Sequence, residues 1–176
     1  MGTITTLKRK RIKEGGRLGG RVNKNCQLQE SWVWPEKASD EIRKYMFGRG
    51  KSLNICSGLS DLGDIKLDID PRSPAVQKAD MENLPFADET FDVVLSDPPW
   101  KLGFFKRQRP FFEAVRVCKT GGKIIYNCVW KPVSKFVELE KAIIRTDNHW
   151  ANVSVIWFFE KTKKCEVLPV GRERGD

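Results

Sequence analysis

Apolar strand patterns alternate with amphipathic helix patterns through the middle of this sequence. The strand-like runs are "KSLNICSG", "DIKLDIDP", "TFDVVLSD" and "KIIYNCVW", and a helix pattern lies between the last two. The segments "VELEKAIIRT" and "ANVSVIWFFEK" then flank a polar tip, which predicts an antiparallel pair. Strands that alternate with helices form parallel sheets, so the sequence predicts an α/β fold that ends in an antiparallel hairpin.

Two helix patterns have recognisable ends. The segment "SWVWPEKASDEIRKYMFGRG" has Pro35 at a first helical position and Gly48 just past the last, with its apolar residues on one face. The segment "RPFFEAVRVCKTGG" begins at Pro110 and is predicted to end at Gly121 and Gly122. Each pattern is long enough for one helix packed on the sheet.

The net charge of +9 is concentrated at the amino terminus. Residues 1–24 hold eight Lys or Arg and one Glu, in a glycine-containing segment that is too polar to pack a core. Clustered cations bind polyphosphates through counterion release. The tail is therefore predicted to contact nucleic acid through Lys8, Arg9, Lys10 and Arg11, although a solvated terminus or a localisation signal has the same composition.

The chain length of 176 residues allows one hydrophobic core and predicts one domain. The expected organisation is a flexible basic tail over residues 1–30, a single α/β domain over 31–165 and a disordered carboxyl-terminal tail over 166–176. No run approaches the length of a membrane span, and the basic start lacks the apolar segment of a secretory signal. A cytoplasmic, intracellular protein without a membrane partner is therefore expected.

The composition excludes several kinds of site. His149 is the single histidine, so a Ser/His/Asp triad or a histidine-rich metal site can hardly form. The five cysteines contain no CxxC pair, which argues against a disulfide framework and a zinc ribbon. Chemistry must therefore come from carboxylates, backbone groups and a cofactor, and no metal is expected.

Ligands of an open α/β sheet bind beyond the carboxyl ends of its strands. The first predicted strand ends at Cys56, Ser57 and Gly58, where glycine lets a ligand approach the backbone closely. The second ends at Asp70, whose carboxylate can accept two hydrogen bonds from a ribose diol. Polar groups also follow the later strands, at Asp80 and Met81, Asp97 to Trp100, and Asn127 to Trp130. Each is common in ordinary turns, but their order fits a cofactor that carries a nucleoside.

The sharpest signal is "DPPW" at residues 97–100. Pro98 and Pro99 make a rigid turn that fixes the Asp97 carboxylate beside the Pro98 carbonyl. Two such acceptors can bind the N–H bonds of an exocyclic amine on adenine or cytosine and draw its nitrogen toward a tetrahedral, more nucleophilic form. Trp100 is predicted to stack on the base. The alternative is a structural turn with Trp100 in the core.

These residues together resemble the class I S-adenosylmethionine-dependent amino-methyltransferases. Their fourth motif has Asp, Asn or Ser, then Pro-Pro and an aromatic residue, and "DPPW" is the form of N6-adenine methyltransferases of DNA and RNA. The resemblance covers roughly residues 50–160 and implies a Rossmann-like sheet, S-adenosyl-L-methionine as cofactor, and catalytic roles for Asp97, Pro98, Pro99 and Trp100. It implies cofactor contacts at Asn54, Cys56, Ser57, Gly58, Asp70, Asp80 and Met81.

Two features depart from that pattern. Only "LSDLG" separates Gly58 from Asp64, so the first core helix is expected to be shortened or missing, and Ser60 or Asp61 to take over cofactor contacts. No target-recognition domain is visible, so target choice is expected to come from a loop, the tail or a specificity partner protein. The loop after the motif supplies nucleic-acid contacts at Lys101, Phe104, Phe105, Lys106, Arg107 and Arg109, unless its phenylalanines pack on the core.

The predicted function is methyl transfer from S-adenosyl-L-methionine to an exocyclic amino group of a nucleobase in DNA or RNA, adenine N6 ahead of cytosine N4. One alternative within the class is transfer to a protein side-chain amide. Another is a non-catalytic nucleic-acid-binding protein that keeps the methyltransferase fold. A nicotinamide-dependent oxidoreductase has a similar acid at a strand end, but GxGxxG is absent.

Overall fold

The computed structural model describes Trp34 and residues 36–99, 106–145 and 153–165. In chain order these residues form α1 (Glu36–Met46), β1 (Ser52–Ile55), β2 (Ile65–Asp68), β3 (Gln77–Lys78), β4 (Phe91–Ser96), α2 (Gln108–Val117), β5 (Cys118–Cys128), β6 (Val137–Arg145) and β7 (Ser154–Lys161). The strands form one sheet in the order β3-β2-β1-β4-β5-β7-β6. Strands β1 to β5 pair in parallel, and β7 is antiparallel to both β5 and β6. The predicted architecture is confirmed.

The two described helices cover opposite faces of the sheet. Apolar residues of α2, among them Phe111, pack with Val94 and Ile124 from the centre of the sheet. On the other face Ile42 of α1 packs with Val93 of β4 and its neighbours. Strand β4 therefore has apolar side chains on both faces, which explains its uninterrupted run of Val, Val and Leu.

The connection from β1 to β2 contains no helix, as the sequence predicts. Leu62 of this connection is buried beside α1, and its carbonyl accepts a hydrogen bond from Asn54 Nδ2 at 3.0 Å. Gly63 has φ +87°, and a Cβ at this position would lie 3.0 Å from the Cβ of Asn54. At the base of the connection, Asp64 accepts hydrogen bonds from the amide and the hydroxyl of Ser52. The direct crossover is therefore packed and hydrogen-bonded along its length.

Helix α2 ends earlier than the sequence pattern suggests. Its last residue is Val117, and Cys118 already has extended geometry, so the prediction that Gly121 and Gly122 close the helix is wrong. The Val117 carbonyl accepts a hydrogen bond from the backbone N–H of Thr90 at 2.8 Å, which ties the helix end to the segment before β4. The two glycines instead lie inside the long strand β5, where Gly121 has φ +80°.

Several predictions lie outside the described residues. They concern Pro35, Trp100 and the segment 101–105, the basic tail, and the segment 166–176. The expected domain boundaries stay predictions. Neither described helix has the length and apolarity that a membrane crossing requires.

Candidate active site

Asp97 lies at the carboxyl end of β4 and is hydrogen-bonded to a side chain at the end of the neighbouring strand. The parallel register pairs Ser96 with Tyr126, so the next residues, Asp97 and Asn127, come side by side. Asn127 Nδ2 donates to Asp97 Oδ1 at 3.0 Å. Asp97 is only 6% exposed and Asn127 is fully buried. Pro98 is also buried and Pro99 is exposed, so the first half of the predicted motif lies in a protected position.

The loop after β1 is held tightly against β2. Cys56 has φ +55° and Gly58 has φ +53°, so the chain turns sharply at both residues. Between them Ser57 is buried, and its N–H donates to the Leu67 carbonyl at 2.9 Å. The Ser57 hydroxyl and the side-chain amide oxygen of Asn54, Oδ1, are buried without a hydrogen-bond partner.

The acid at the end of β2 is Asp68, not Asp70. The strand ends at Asp68, whose two carboxylate oxygens accept hydrogen bonds from the N–H of Gly58 at 3.0 Å and of Asp70 at 3.1 Å. The Asp70 side chain is 83% exposed and lies 4.0 Å from Arg72. The sequence analysis put the end of this strand at Asp70, two residues beyond its observed end. The reason is that "LDID" alternates, so both acids follow an apolar residue.

The segment after β3 brings Met81 to the glycine loop. The Met81 sulfur lies 3.4 Å from the Cys56 sulfur. The Asp80 carboxylate is exposed and accepts a hydrogen bond from the N–H of Glu82 at 2.8 Å. Of the predicted pair, Met81 therefore reaches the loop, whereas Asp80 caps its own turn.

Arg116 of α2 anchors the same segment farther along. Its guanidinium donates to the carbonyls of Leu84 and Phe86 and pairs with Asp88 and Glu113. Glu113 in turn accepts a hydrogen bond from the N–H of Leu84 at 2.8 Å. Helix α2 thus fixes the segment that follows Met81.

Ser60 and Asp61, which were expected to take over cofactor contacts, both have partners within the protein, and their cofactor role stays a prediction. The Asp61 carboxylate pairs with Arg43 of α1 at 2.5 Å and is 75% exposed. This ion pair lowers the pKa of Asp61. Ser60 is buried, and its hydroxyl accepts a hydrogen bond from the N–H of Leu62 at 3.2 Å. Both polar side chains of the short crossover are therefore engaged in holding the crossover itself.

Three of the predicted cations are described. Lys106 and Arg109 are exposed, and Arg109 Nε donates to the Glu82 carbonyl at 3.3 Å. The Arg107 guanidinium lies 5.0 Å from the centre of the Trp130 ring. The other predicted nucleic-acid contacts lie outside the described residues, namely Lys8, Arg9, Lys10, Arg11, Lys101, Phe104 and Phe105.

The thiols near Asp97 are protonated at neutral pH. Burial raises the pKa of Cys56 far above its usual range, and the carboxylates of Asp68, Asp97 and Asp80 raise it further. Burial also raises the pKa of Cys128, to about 12. A nucleophilic cysteine requires a thiolate, so neither residue suits covalent catalysis. Among the described residues, His, Cys, Asp and Glu side chains form no group of three that suits a metal ion.

The buried polar atoms fit a polar cofactor beside these strand ends. An unpaired buried hydroxyl or amide oxygen costs about 1–3 kcal/mol, so Ser57 and Asn54 are expected to be satisfied by a ligand. Each Asp68 oxygen accepts one backbone N–H and retains a lone pair for a ribose hydroxyl. Asp68 was missed by sequence reasoning, and Asn127 was noted only as a polar residue after the fifth strand, without its contact to Asp97. Only the strand register, which a single sequence does not display, puts Asn127 beside Asp97.

Comparison with known proteins identifies chains with a similar sequence segment or a similar fold. Residues 41–126 match the family model of a methyltransferase domain. The PH0226 protein from Pyrococcus horikoshii OT3 has a similar structure at 17% identity, with a TM-score of 0.55 over 72% of this chain and 89% of that one. The N-methyltransferase NodS from Bradyrhizobium japonicum WM9 is similar at 10% identity, with a TM-score of 0.51 over 73% and 96%. No curated protein sequence matches the chain.

A third solved structure, a SAM-dependent methyltransferase from Methanosarcina mazei, is 13% identical with a TM-score of 0.50 over 69% of this chain and 97% of that one. At such identities the three structures establish the Rossmann-like methyltransferase fold. The family match agrees with that fold over residues 41–126.

Proposed function

We propose that this methyltransferase domain transfers the methyl group of S-adenosyl-L-methionine to an exocyclic amino group of a nucleobase, adenine N6 first, in DNA or RNA. The observation that carries the proposal is the buried Asp97 carboxylate at the end of β4, held by Asn127 at 3.0 Å and followed by two prolines. A buried carboxylate at this edge is a fixed acceptor for an N–H donor.

Asp97 and the Pro98 carbonyl both offer lone pairs to an amino group. The amino group of adenine is a weak nucleophile because its lone pair is delocalised into the ring, and hydrogen bonds to both N–H bonds favour the tetrahedral form. Bound S-adenosyl-L-methionine supplies an electrophilic methyl carbon. With Asp97 and the Pro98 carbonyl holding the N–H bonds, the methyl group would pass to the amine nitrogen, the electrons of the C–S bond would stay on sulfur, and one N–H proton would pass to water. Positioning then supplies most of the catalysis.

The cofactor is expected to lie across the ends of β1 and β2. Asp68 supplies the carboxylate for the ribose hydroxyls, and Ser57 and Asn54 supply unpaired buried oxygens. Cys56 and Met81, with sulfurs 3.4 Å apart, form an apolar wall suited to an adenine ring. Asp97 lies on the strand next to β1, and its N–H faces the Ile55 carbonyl at 3.4 Å, so cofactor and acceptor are adjacent.

A nucleic-acid substrate is supported by the charge beside the site. Arg107 directly precedes α2 and Arg109 lies in its first turn, at the same edge of the sheet as Asp97. The Arg107 guanidinium stacks on the ring of Trp130. An arginine above an aromatic ring is suited to a phosphate and an unstacked base. Contacts by the basic tail and by Lys101, Phe104 and Phe105 remain predictions.

The experiment supplies S-adenosylmethionine with an isotopically labelled methyl group to the protein with DNA and RNA, single- and double-stranded, and identifies the labelled nucleoside by mass spectrometry. N6-methyladenine is the expected product. The Asp97→Ala variant is expected to lose at least 100-fold in methyl transfer while its affinity for the cofactor changes less than threefold, since about 3 kcal/mol of transition-state stabilisation is removed. Asp40→Ala, at an exposed position on α1, is the matched control and should retain activity.

Other outcomes identify the alternatives. Label on cytosine N4 would change the base but keep the chemistry, whereas label only in glutamine of an added protein would overturn the nucleobase proposal. A protein that binds nucleic acid in a salt-sensitive manner but does not bind S-adenosylmethionine would overturn the catalytic function itself.

A further inference from the structure

We propose that Asn127 is a positioning residue, which fixes the Asp97 carboxylate for the substrate amine. The inference rests on the proposed function. It concerns a hydrogen bond between two strand ends rather than any residue of the "DPPW" segment.

The contact is enforced by the sheet. Strands β4 and β5 are parallel, with Leu95 opposite Ile125 and Ser96 opposite Tyr126, so the side chains one position farther point the same way. Asn127 is fully buried, and its Nδ2 reaches Asp97 Oδ1 at 3.0 Å. A carboxylate held by a buried donor keeps one rotamer and one orientation.

The chemistry of the pair determines which end of the amide faces Asp97. An ionised carboxylate only accepts hydrogen bonds, so the NH₂ end must face it and the carbonyl end must point elsewhere. That carbonyl oxygen, Oδ1, is buried and has no hydrogen-bond partner. A buried unpaired oxygen costs about 1–3 kcal/mol, which an apolar residue at position 127 would avoid. Among the described residues, the one hydrogen bond of the Asn127 side chain is therefore the donation to Asp97, and its role is to hold that carboxylate.

The thiols and the phenol around Asp97 stay neutral, whereas the carboxylates of Asp68 and Asp80 act on Cys56 together with that of Asp97. Cys56 at the end of β1 and Tyr126 on β5 have pKa values raised well above their usual range, chiefly by burial. Cys128 has a pKa raised to about 12, and Arg107 is the cation near it. The native protein contains the same neighbouring groups, so a change in the pH profile that occurs only in a variant of Asn127 is assigned to the carboxylate at position 97 or to the new group at 127.

The decisive variant is Asn127→Asp. Below its raised pKa the new carboxyl is protonated and donates to Asp97 as the amide does. Above it, two carboxylates face each other at about the same 3 Å and repel. We expect kcat to fall as the pH rises and the second carboxyl of the pair ionises, with a loss of about 100-fold at pH 8 and a KM for the cofactor within threefold. The kcat of the native protein should show no such fall over the same pH range.

Two further variants separate positioning from packing. Asn127→Leu removes the donor and should raise the pKa of Asp97, because the ionised form loses a hydrogen bond. That pKa is read from carboxyl NMR signals of ¹³C-labelled protein, with Asp97→Ala for assignment. Ile156→Val perturbs the residue opposite Asn127 on β7 without changing any polar group, and should leave kcat within threefold.

The outcomes distinguish this inference from the proposed function. If the native protein methylates a nucleobase and Asn127→Asp follows the native pH profile, the positioning role is wrong. If the native protein methylates no nucleobase but Asn127→Leu still raises the pKa of Asp97, the positioning stands and the proposed substrate is wrong. An equal loss of kcat in Ile156→Val would assign the effect to packing and overturn the inference.

Discussion

Exchanging the two acids after β2 tests which of them binds the cofactor. Asp68 accepts two backbone hydrogen bonds, at 3.0 and 3.1 Å, and lies at the strand end, whereas Asp70 is 83% exposed and 4.0 Å from Arg72. A hydrogen bond to a charged group contributes about 1.5–3 kcal/mol. Replacing the Asp68 carboxylate by an amide should therefore weaken S-adenosylmethionine binding by about 10- to 150-fold. Asp70→Asn removes only an exposed pair worth at most about 1 kcal/mol, and should change the Kd less than threefold.

Isothermal titration calorimetry with S-adenosylmethionine measures both affinities, and circular dichroism confirms that each variant is folded. A cofactor analogue that lacks a ribose hydroxyl sharpens the assignment. The analogue should bind more weakly than S-adenosylmethionine to the native protein and to Asp70→Asn. This difference in affinity should largely disappear in Asp68→Asn, because the partner of that hydroxyl is already lost. A larger loss of affinity in Asp70→Asn than in Asp68→Asn would refute the assignment.

Two further predictions concern stability. Gly122→Ala should lower the free energy of unfolding by about 3 kcal/mol, since its Cβ would lie 2.8 Å from the Cys118 sulfur and 2.9 Å from the Asp92 carbonyl oxygen. Gly121→Ala places its Cβ where no atom lies within 4 Å, but at φ +80°, so it should lower the free energy of unfolding by only about 1 kcal/mol. Equal losses of unfolding free energy for the two variants in urea denaturation would contradict the steric argument. Hydrogen bonds from Ser52 lower the pKa of Asp64, so its stabilisation is present above the unfolded pKa near 4 and is lost as the pH falls through the lower folded value. In denaturation experiments between pH 2 and 6, the free energy of unfolding should fall less on acidification in Asp64→Asn than in the native chain. An equal fall in both would show that Asp64 contributes nothing.

Local patterns predicted the elements whose signals are strong and self-contained. The run of Val93, Val94 and Leu95 is buried on both faces of β4, and such runs are typical of central parallel strands. The few residues between Gly58 and Asp64 correctly indicated a missing helix, because a helical crossover needs more chain. In these places the covalent sequence alone restricts the geometry.

Other features depend on contacts that are distant in the sequence. The end of α2 is set by the hydrogen bond from Thr90 to Val117, so the paired glycines farther on were a misleading signal. The choice between Asp68 and Asp70 depends on where β2 stops, and alternation alone gives both acids the same pattern. The contact of Asn127 with Asp97 depends on the register of β4 and β5, which only the folded sheet determines.

The missing helix also changes how the site can attract its cofactor. A helix that begins after a glycine loop directs the positive end of its dipole toward the ligand, whereas here the N–H of Gly58 already donates to Asp68. Three carboxylates, those of Asp68, Asp80 and Asp97, instead act on Cys56 at the centre of the strand ends. S-adenosylmethionine carries a positive sulfonium that its demethylated product lacks, and negative side chains stabilise a nearby cation. In this short fold, acidic side chains are therefore expected to replace the helix dipole and to favour the methyl donor over the spent cofactor.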